Sequence, residues 1–190
     1  MIDHTFNPPS IPERNIFLTE QIDQDSIAKV TTKIIEINEK DEHLKKYFSL
    51  YGIEYNPQPI KIYIDSYGGY VYQCFGLIAI MEKSSTPIHT YITGCAMSCG
   101  FMIAISGHKR FAYEHATPLY HQVSGGSSGK AKDLEEDLAE TLRLQSKIEE
   151  MTIRKTKISQ ERLKEVYNTK YDWHMTPEEA LKLGVIDEIV

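Results

Sequence analysis

The sequence predicts an α/β domain built on a parallel sheet, and three observations carry that prediction. Apolar, β-branched segments alternate with segments of helical periodicity along the chain. A glycine-rich turn, Asp65–Gly69, follows the strand pattern of Ile60–Ile64, and a serine-containing turn, Gly94–Gly100, follows that of Ile88–Thr93. Short βα connections imply parallel strands, whose carboxyl ends bind ligands in such folds. We therefore expect the two turns to form one site.

The segments before the first turn predict a strand and a helix. Residues 14–19 are a short apolar strand, and Ile27, Val30, Ile34 and Ile37 recur at helical spacing after a cap at Asp25 or Ser26. The polar and aromatic residues from Asn38 to Pro59 are long for a simple connection, so they form either a helical extension or a surface insertion.

The segments after the first turn continue the alternation. Helices are predicted at 71–83, 99–107 and 130–156 and from Ser159 and Thr176, strands at 110–113, 118–123 and 185–190, and a flexible loop at 124–129. The apolar stripe on the long helix includes Leu134, Leu138 and Leu142.

Composition narrows the function. The chain has 190 residues, 41% hydrophobic and 25% charged, which suits one domain over residues 1–190 with a flexible arm at 1–13. A net charge of −6 argues against a nucleic-acid or anionic-membrane surface. The three cysteines fit neither a disulfide framework nor a metal site. Because no signal-peptide pattern and no membrane-spanning apolar run is visible, we expect a cytoplasmic protein.

The serine turn is typical of a nucleophile. Ser98 lies where a strand meets a helix, a position that can expose its hydroxyl beside free N–H groups, although such a turn more often only starts a helix. A serine nucleophile needs a base, and His121 is the best of seven histidines because it ends an apolar strand and precedes a glycine-rich loop. The backbone of Gly68 or Gly69 and that of Cys99 are candidate oxyanion donors.

Three ordered motifs resemble the Clp protease proteolytic subunit (ClpP) family. Residues 62–69 resemble its Y-I-N-S-P-G-G segment, Gly94–Gly100 its G-x-A-A-S-M-G nucleophile turn, and Tyr120-His121-Gln122 its I-H-Q. The likeness extends from Arg14 to Val190, with extra residues around 40–58. It implies a ClpP/crotonase-like head of stacked βα units with a protruding handle helix, the handle region being 124–156.

The resemblance also implies the roles of the site residues. Ser98 is then the nucleophile, His121 the general base, and the N–H groups of Gly69 and Cys99 the oxyanion hole. The family's third triad member is an aspartate, which here matches Asn168 in Asn168-Thr169-Lys170-Tyr171-Asp172. An amide oxygen can orient the imidazole but supplies no negative charge, so we expect lower or assembly-dependent activity. Asp172 is the alternative, if the loop shifts.

Substrate and partners are likewise implied by the resemblance. A peptide would add as a strand between the two glycine-rich segments, whose contact residues are Gly68, Tyr70, Val71, Val123, Ser124 and Gly125. Heptameric rings would stack as a tetradecamer through the handle. An AAA+ unfoldase of the ClpX, ClpA or ClpC type would deliver unfolded chains and use ATP, while the subunit itself needs no cofactor and no metal. A ClpP paralogue is a further partner.

Two alternatives remain open. The crotonase superfamily shares the fold and the oxyanion hole, but its chemistry uses carboxylates and a CoA thioester rather than a Ser-His pair. A non-catalytic or weakly active ring subunit, which modulates an active paralogue or its unfoldase, would explain Asn168. Intact Ser98 and His121 argue against that second alternative.

Overall fold

A mixed sheet organises the fold. The computed structural model describes residues 10–190, and within them seven strands form one sheet in the order β1-β2-β3-β4-β7, with β5 paired to β3 and β6. Every pairing is parallel except β5–β6. The strands are β1 Asn15–Leu18, β2 Ile60–Ser66, β3 Ile88–Met97, β4 Lys109–Ala112, β5 Thr117–Tyr120, β6 Trp173–His174 and β7 Glu188–Ile189. The expected parallel α/β alternation is confirmed.

The helices cover the sheet and carry the rest of the core. They are α1 Gln24–Ser49, α2 Val71–Lys83, α3 Cys99–Ala104, α4 Ala131–Lys155, α5 Gln160–Thr169 and α6 Pro177–Lys182. Buried isoleucines of β2 and β3 pack with α1, α2 and α3 in one apolar cluster. Among the described residues no helix is both long and apolar enough to cross a membrane. The predicted arm, 1–13, lies mostly outside the described residues.

Several element boundaries differ from those the sequence predicts. The strand predicted to end at Thr93 continues to Met97, because a register shift in β2 lets Asp65 accept a hydrogen bond from the Cys95 N–H at 2.9 Å. Helix α3 ends at Ala104 instead of Gly107, and β5 ends before His121. The two-residue strand β6 was not predicted. Helix α1 is capped by Asp23, two residues before Asp25, the earlier of the two predicted caps.

The segment from Asn38 to Pro59 is a helical extension followed by a returning loop. Asp41, on the extended α1, is fully buried and receives a bidentate pair from Arg14 at 2.6 and 2.8 Å. Thr86 and Tyr55 donate two more hydrogen bonds to it, at 2.6 and 2.9 Å. Burial raises the pKa of Asp41, but these donors outweigh it and the net pKa is lowered. This ionic contact fastens the extension and its loop to the edge of the sheet.

Helix α4 has two unlike halves. Residues 131–139 are exposed throughout and include the apolar side chains of Leu134 and Leu138. The second half buries Leu144, Ile148 and Met151 against the core. The helix therefore starts away from the sheet, as expected of a handle, and ends packed on it beside the turn that carries Ser98.

Candidate active site

Ser98 occupies a strained turn between β3 and α3. Its backbone has φ 55° and ψ −118°, and only one other non-glycine among residues 10–190, Lys170, has a positive φ. The Ser98 N–H donates to the Leu119 carbonyl at 3.1 Å, and the Met102 N–H donates to the Ser98 carbonyl at 3.2 Å. Such strain in a side chain-bearing residue is uncommon and concentrates at functional sites. The neighbouring strand and helix hold Ser98 in this conformation.

The Gly68–Gly69 turn lies directly against the Ser98 turn. Gly68 has φ 103°, and a Cβ there would come within 2.7 Å of the Met97 carbonyl oxygen and 2.8 Å of the Ser98 Cβ. A Cβ on Gly69 would come within 2.1 Å of the Ile22 carbonyl oxygen. The close approach of three backbone segments therefore requires glycine at both positions.

Two backbone N–H groups remain available beside Ser98. The Gly68 carbonyl accepts from the Ile22 N–H at 2.9 Å, so in a trans peptide the Gly69 N–H points the opposite way. Cys99 is the first residue of α3, whose N–H has no intrahelical acceptor. Neither N–H donates a hydrogen bond to another described residue. These are the groups that an oxyanion hole needs.

The thiol of Cys99 connects the two turns. Its Sγ donates to the Gly69 carbonyl oxygen at 3.2 Å, and the Cys74 thiol donates to the Cys99 carbonyl at 3.5 Å. The hydrogen bond with Cys99, together with burial, raises the pKa of Cys74 well above its ordinary value. Cys74 therefore stays protonated, and Cys99 fixes the glycine turn to the start of α3.

His121 faces the same cleft as Ser98. It directly follows β5, is half-buried, and lines the cleft together with Ser98, with the predicted oxyanion-hole residue Gly69, and with three predicted contact residues, Val71, Val123 and Ser124. Its imidazole makes no hydrogen bond with any residue between 10 and 190. Catalytic hydrogen bonds are often long in a free enzyme and shorten when substrate binds. The cleft thus contains both the Ser98 hydroxyl and the His121 imidazole. No described residue orients the imidazole by a hydrogen bond.

The remaining predicted residues do not line this cleft. Asn168 is exposed in the last turn of α5, and Asp172 is exposed in the following loop; neither lines the cleft. Gly68 and Gly69 also line a neighbouring surface groove with Tyr67, whereas Gly125 lies in a groove beside α4. Tyr70 is 61% exposed at the start of α2. Where residues 10–190 are described, no group of three His, Cys, Asp or Glu side chains is placed to hold a metal ion.

Comparison with known proteins gives the family. The Clp protease family matches residues 10–190 of the chain. The chain belongs to the Clp protease family. An "ATP-dependent Clp protease proteolytic subunit" of Deinococcus radiodurans is 35% identical over 138 residues, which cover 71% of this chain and 67% of the relative. Subunit 1 of Prochlorococcus marinus strain NATL2A is 30% identical over 93% of this chain and 83% of its own length. Subunit 2 of Synechococcus strain CC9605 is 28% identical over 94% and 83%.

The Clp protease family is a family of serine-type peptidases. The recognition of the family from its three motifs is confirmed, and so is the prediction of an enzyme of this class. The individual residue roles remain predictions. The three relatives named above are all proteolytic subunits, and none is named as a crotonase-type acyl-CoA enzyme.

Sequence reasoning missed several residues of this candidate site. Ile22, whose backbone holds the glycine turn, lies in a polar segment and contributes no side-chain pattern that would reveal it. Met102 and Ile148 line the cleft but are indistinguishable in sequence from ordinary core residues. Tyr120 stands in the histidine motif, so it was visible; its buried hydroxyl is the feature that only the structure reveals.

Proposed function

We propose that this chain is a serine endopeptidase, the proteolytic subunit of a self-compartmentalised Clp-type protease that hydrolyses unfolded polypeptides. In this proposal Ser98 is the nucleophile, His121 is the general base, and the N–H groups of Gly69 and Cys99 bind the oxyanion. Asn168 is the third member, which orients the imidazole. One observation carries the proposal: a strained serine and a histidine line one cleft, beside two backbone N–H groups without acceptors.

The reaction uses these groups in the order that acyl transfer requires. His121 takes the proton of the Ser98 hydroxyl while Oγ forms a bond to the peptide carbonyl carbon. The carbonyl oxygen becomes an oxyanion and accepts from the Gly69 and Cys99 N–H groups. The imidazolium gives its proton to the leaving amine as the C–N bond breaks. Water, deprotonated by His121, then attacks the acyl-serine and releases the peptide acid and the serine hydroxyl.

The walls of the cleft suit an extended peptide. Two segments lie beside Ser98, Gly68–Val71 and Val123–Gly126, and residues of both line the cleft. The Val123 N–H donates to the side-chain oxygen of Gln145 at 2.8 Å, which fixes the start of that second segment. Main-chain pairing with both segments grips a polypeptide regardless of its sequence, as a general protein-degrading enzyme requires.

The exposed half of α4 supports an assembled enzyme. Leu134, Leu138 and Leu142 are 39%, 58% and 45% exposed along one face of the helix, a stripe that a monomer leaves in water. We propose that this handle joins two heptameric rings into a tetradecamer. An AAA+ unfoldase of the ClpX, ClpA or ClpC type would supply unfolded chains and hydrolyse the ATP, so the subunit itself needs no cofactor.

A serine-reactive fluorophosphonate probe tests the nucleophile. The native oligomer, with its mass measured, is expected to be labelled stoichiometrically, and Ser98→Ala is expected to abolish labelling and the hydrolysis of a fluorogenic peptide. Ser127→Ala, in the exposed loop, is the matched control and is expected to be labelled like the unmodified protein. An assembled, unlabelled oligomer without peptidase activity would overturn the proposal.

The position of Asn168 favours a second candidate, a weakly active or non-catalytic ring subunit. Asn168 is exposed and makes no hydrogen bond with His121 among the described residues. Such a subunit would modulate an active ClpP paralogue or its unfoldase. Peptide hydrolysis by the purified homo-oligomer supports the first candidate. Hydrolysis that appears only after an active paralogue is added, and that survives Ser98→Ala in this chain, supports the second.

A further inference from the structure

Tyr120 lines the cleft beside Ser98 and has a buried hydroxyl without a hydrogen-bond partner among residues 10–190. Tyr120 is 2% exposed, and its OH is one of two buried side-chain polar atoms between residues 10 and 190 that make no hydrogen bond. The other is the Nε of Arg14, whose two terminal nitrogens are already bonded to Asp41. Buried polar groups nearly always have partners, so an unpaired one that lines a cleft indicates a ligand.

The nearby side chain of Gln145 makes its close hydrogen bonds with other groups. The ring of Tyr120 packs edge-on against Phe101, which fixes its direction. The side-chain oxygen of Gln145 accepts from the Val123 N–H at 2.8 Å, and its nitrogen donates to Glu149 at 2.6 Å. Burial first, and then the charge of Glu149, raise the pKa of Tyr120, and the nearby Gln145 amide lowers it by less, so the net pKa is raised. The phenol therefore stays protonated and keeps a proton to donate.

Three apolar side chains line the cleft together with Tyr120. Val71, Met102 and Ile148 line the same cleft as Ser98 and Tyr120. Met102 is itself held in place, because the Thr152 hydroxyl contacts its sulfur at 3.6 Å. A side chain that fits such a cleft has an unbranched apolar stem and a hydrogen-bond acceptor at its end.

We propose that Tyr120 determines substrate specificity: its hydroxyl donates to the side-chain carbonyl of a glutamine whose own peptide carbonyl is attacked by Ser98. This inference rests on the proposed peptidase function. Methionine has the same length but only a weak acceptor, so it fills the walls and leaves the hydroxyl unpaired. Glutamate is excluded by the half-buried carboxylate of Glu149. Lysine brings an ammonium with three donors into apolar walls and offers no acceptor.

Fluorogenic tripeptides that differ only in the residue before the scissile bond test the proposal on the assembled protein. We expect kcat/KM to be about tenfold higher for glutamine than for methionine, with glutamate and lysine lower than both. Tyr120→Phe is expected to lower the glutamine value about tenfold and to leave the methionine value unchanged. Tyr113→Phe, on an exposed tyrosine after β4, is the matched control and is expected to alter neither.

A binding measurement separates this inference from the peptidase proposal. On Ser98→Ala, calorimetry is expected to show tighter binding of the glutamine peptide than of the methionine peptide, and Tyr120→Phe in that background is expected to remove the difference. If the unmodified protein hydrolyses nothing but the binding difference is found, the peptidase proposal fails, and Tyr120 determines only which peptide binds. If hydrolysis occurs with equal glutamine and methionine values that Tyr120→Phe does not separate, the role of Tyr120 fails alone.

Two further outcomes would overturn the role of Tyr120. Because the hydroxyl has no partner in the free protein, Tyr120→Phe is expected to keep or raise the melting temperature. A drop of several degrees would mean that the hydroxyl is bonded internally. Lysine as the preferred residue would mean that the Glu149 carboxylate, and not the hydroxyl, sets the specificity.

Discussion

The two sides of the candidate active site, the nucleophile side and the base side, differ in how many internal hydrogen bonds hold them. On the nucleophile side, Ser98, the glycine turn and the start of α3 are tied together by backbone hydrogen bonds to Leu119 and Ile22 and by the Cys99 thiol. On the base side, the His121 imidazole has no hydrogen-bond partner within residues 10–190, and Asn168 is exposed at the end of α5. The described chain thus holds the nucleophile side in place by hydrogen bonds and supplies none to the imidazole on the base side.

This difference matches the different requirements of an oxyanion hole and of a histidine base. An oxyanion hole must be preorganised to be useful, because moving its donors during the reaction would cost the stabilisation that they provide. A histidine base, in contrast, functions only in one tautomer and orientation, which a third group fixes. We infer that the nucleophile side is set by folding, whereas the base side becomes ordered on substrate binding or on ring assembly.

Outside the Ser98–His121 pair, the largest expected effect comes from a substitution in the glycine turn, at Gly69. In Gly69→Ala the new Cβ would lie 2.1 Å from the Ile22 carbonyl oxygen, so the turn must move and carry its N–H away from the oxyanion. We expect kcat to fall at least ~100-fold, the size of effect seen when one oxyanion donor is removed. The measurement is steady-state hydrolysis of a fluorogenic peptide by oligomer of confirmed mass.

Gly76→Ala is the matched control for that substitution. Gly76 is exposed in α2, and a Cβ there would have no neighbour within 4 Å. Alanine in a helix is expected to stabilise the fold by about 0.5–1 kcal/mol and to leave kcat unchanged. A Gly69→Ala enzyme with normal kcat would show that the glycine turn takes no part in catalysis.

The base side is tested by placing the family's aspartate, and with it a negative charge, at position 168. In Asn168→Asp a carboxylate can stabilise the imidazolium that forms when His121 takes the Ser98 proton, which an amide cannot do. We expect kcat/KM to be kept or to rise by about tenfold, roughly 1.4 kcal/mol of transition-state stabilisation. The measurement compares peptide hydrolysis by Asn168→Asp, Asn168→Ala and the unmodified oligomer across pH.

Two control variants, His121→Ala and Asp172→Asn, are needed to interpret the Asn168 result. His121→Ala is expected to remove activity entirely, and Asp172→Asn tests the alternative third residue and is expected to have little effect. If Asn168→Asp lost as much activity as His121→Ala, Asn168 would have a role other than orienting the imidazole. If only Asp172→Asn lost activity, Asp172 would be the orienting group.

The same contrast explains what could be predicted from sequence. Strand, turn and helix around Ser98 follow from local periodicity and from glycine spacing, so the α/β alternation and the serine turn were predictable. Ile22 was not, because a backbone contact across the sheet edge requires no particular side chain and leaves no pattern. The short strand β6 was missed because two residues that pair with β5 carry no strand signal of their own. Whether Asn168 reaches His121 depends on tertiary position, which a motif match does not give.

The smallest expected effect concerns the thiol that joins the two turns. Cys99→Ala removes the hydrogen bond to the Gly69 carbonyl oxygen, and because this loosens the donors without displacing them, we expect kcat to fall by about fivefold with KM nearly unchanged. Cys99→Ser keeps a donor at that position and is expected to recover most of kcat. Cys95→Ala removes another buried thiol, one that makes no hydrogen bond with Gly68 or Gly69, so kcat should be normal. Equal losses in Cys99→Ser and Cys99→Ala would assign the effect to packing rather than to the hydrogen bond.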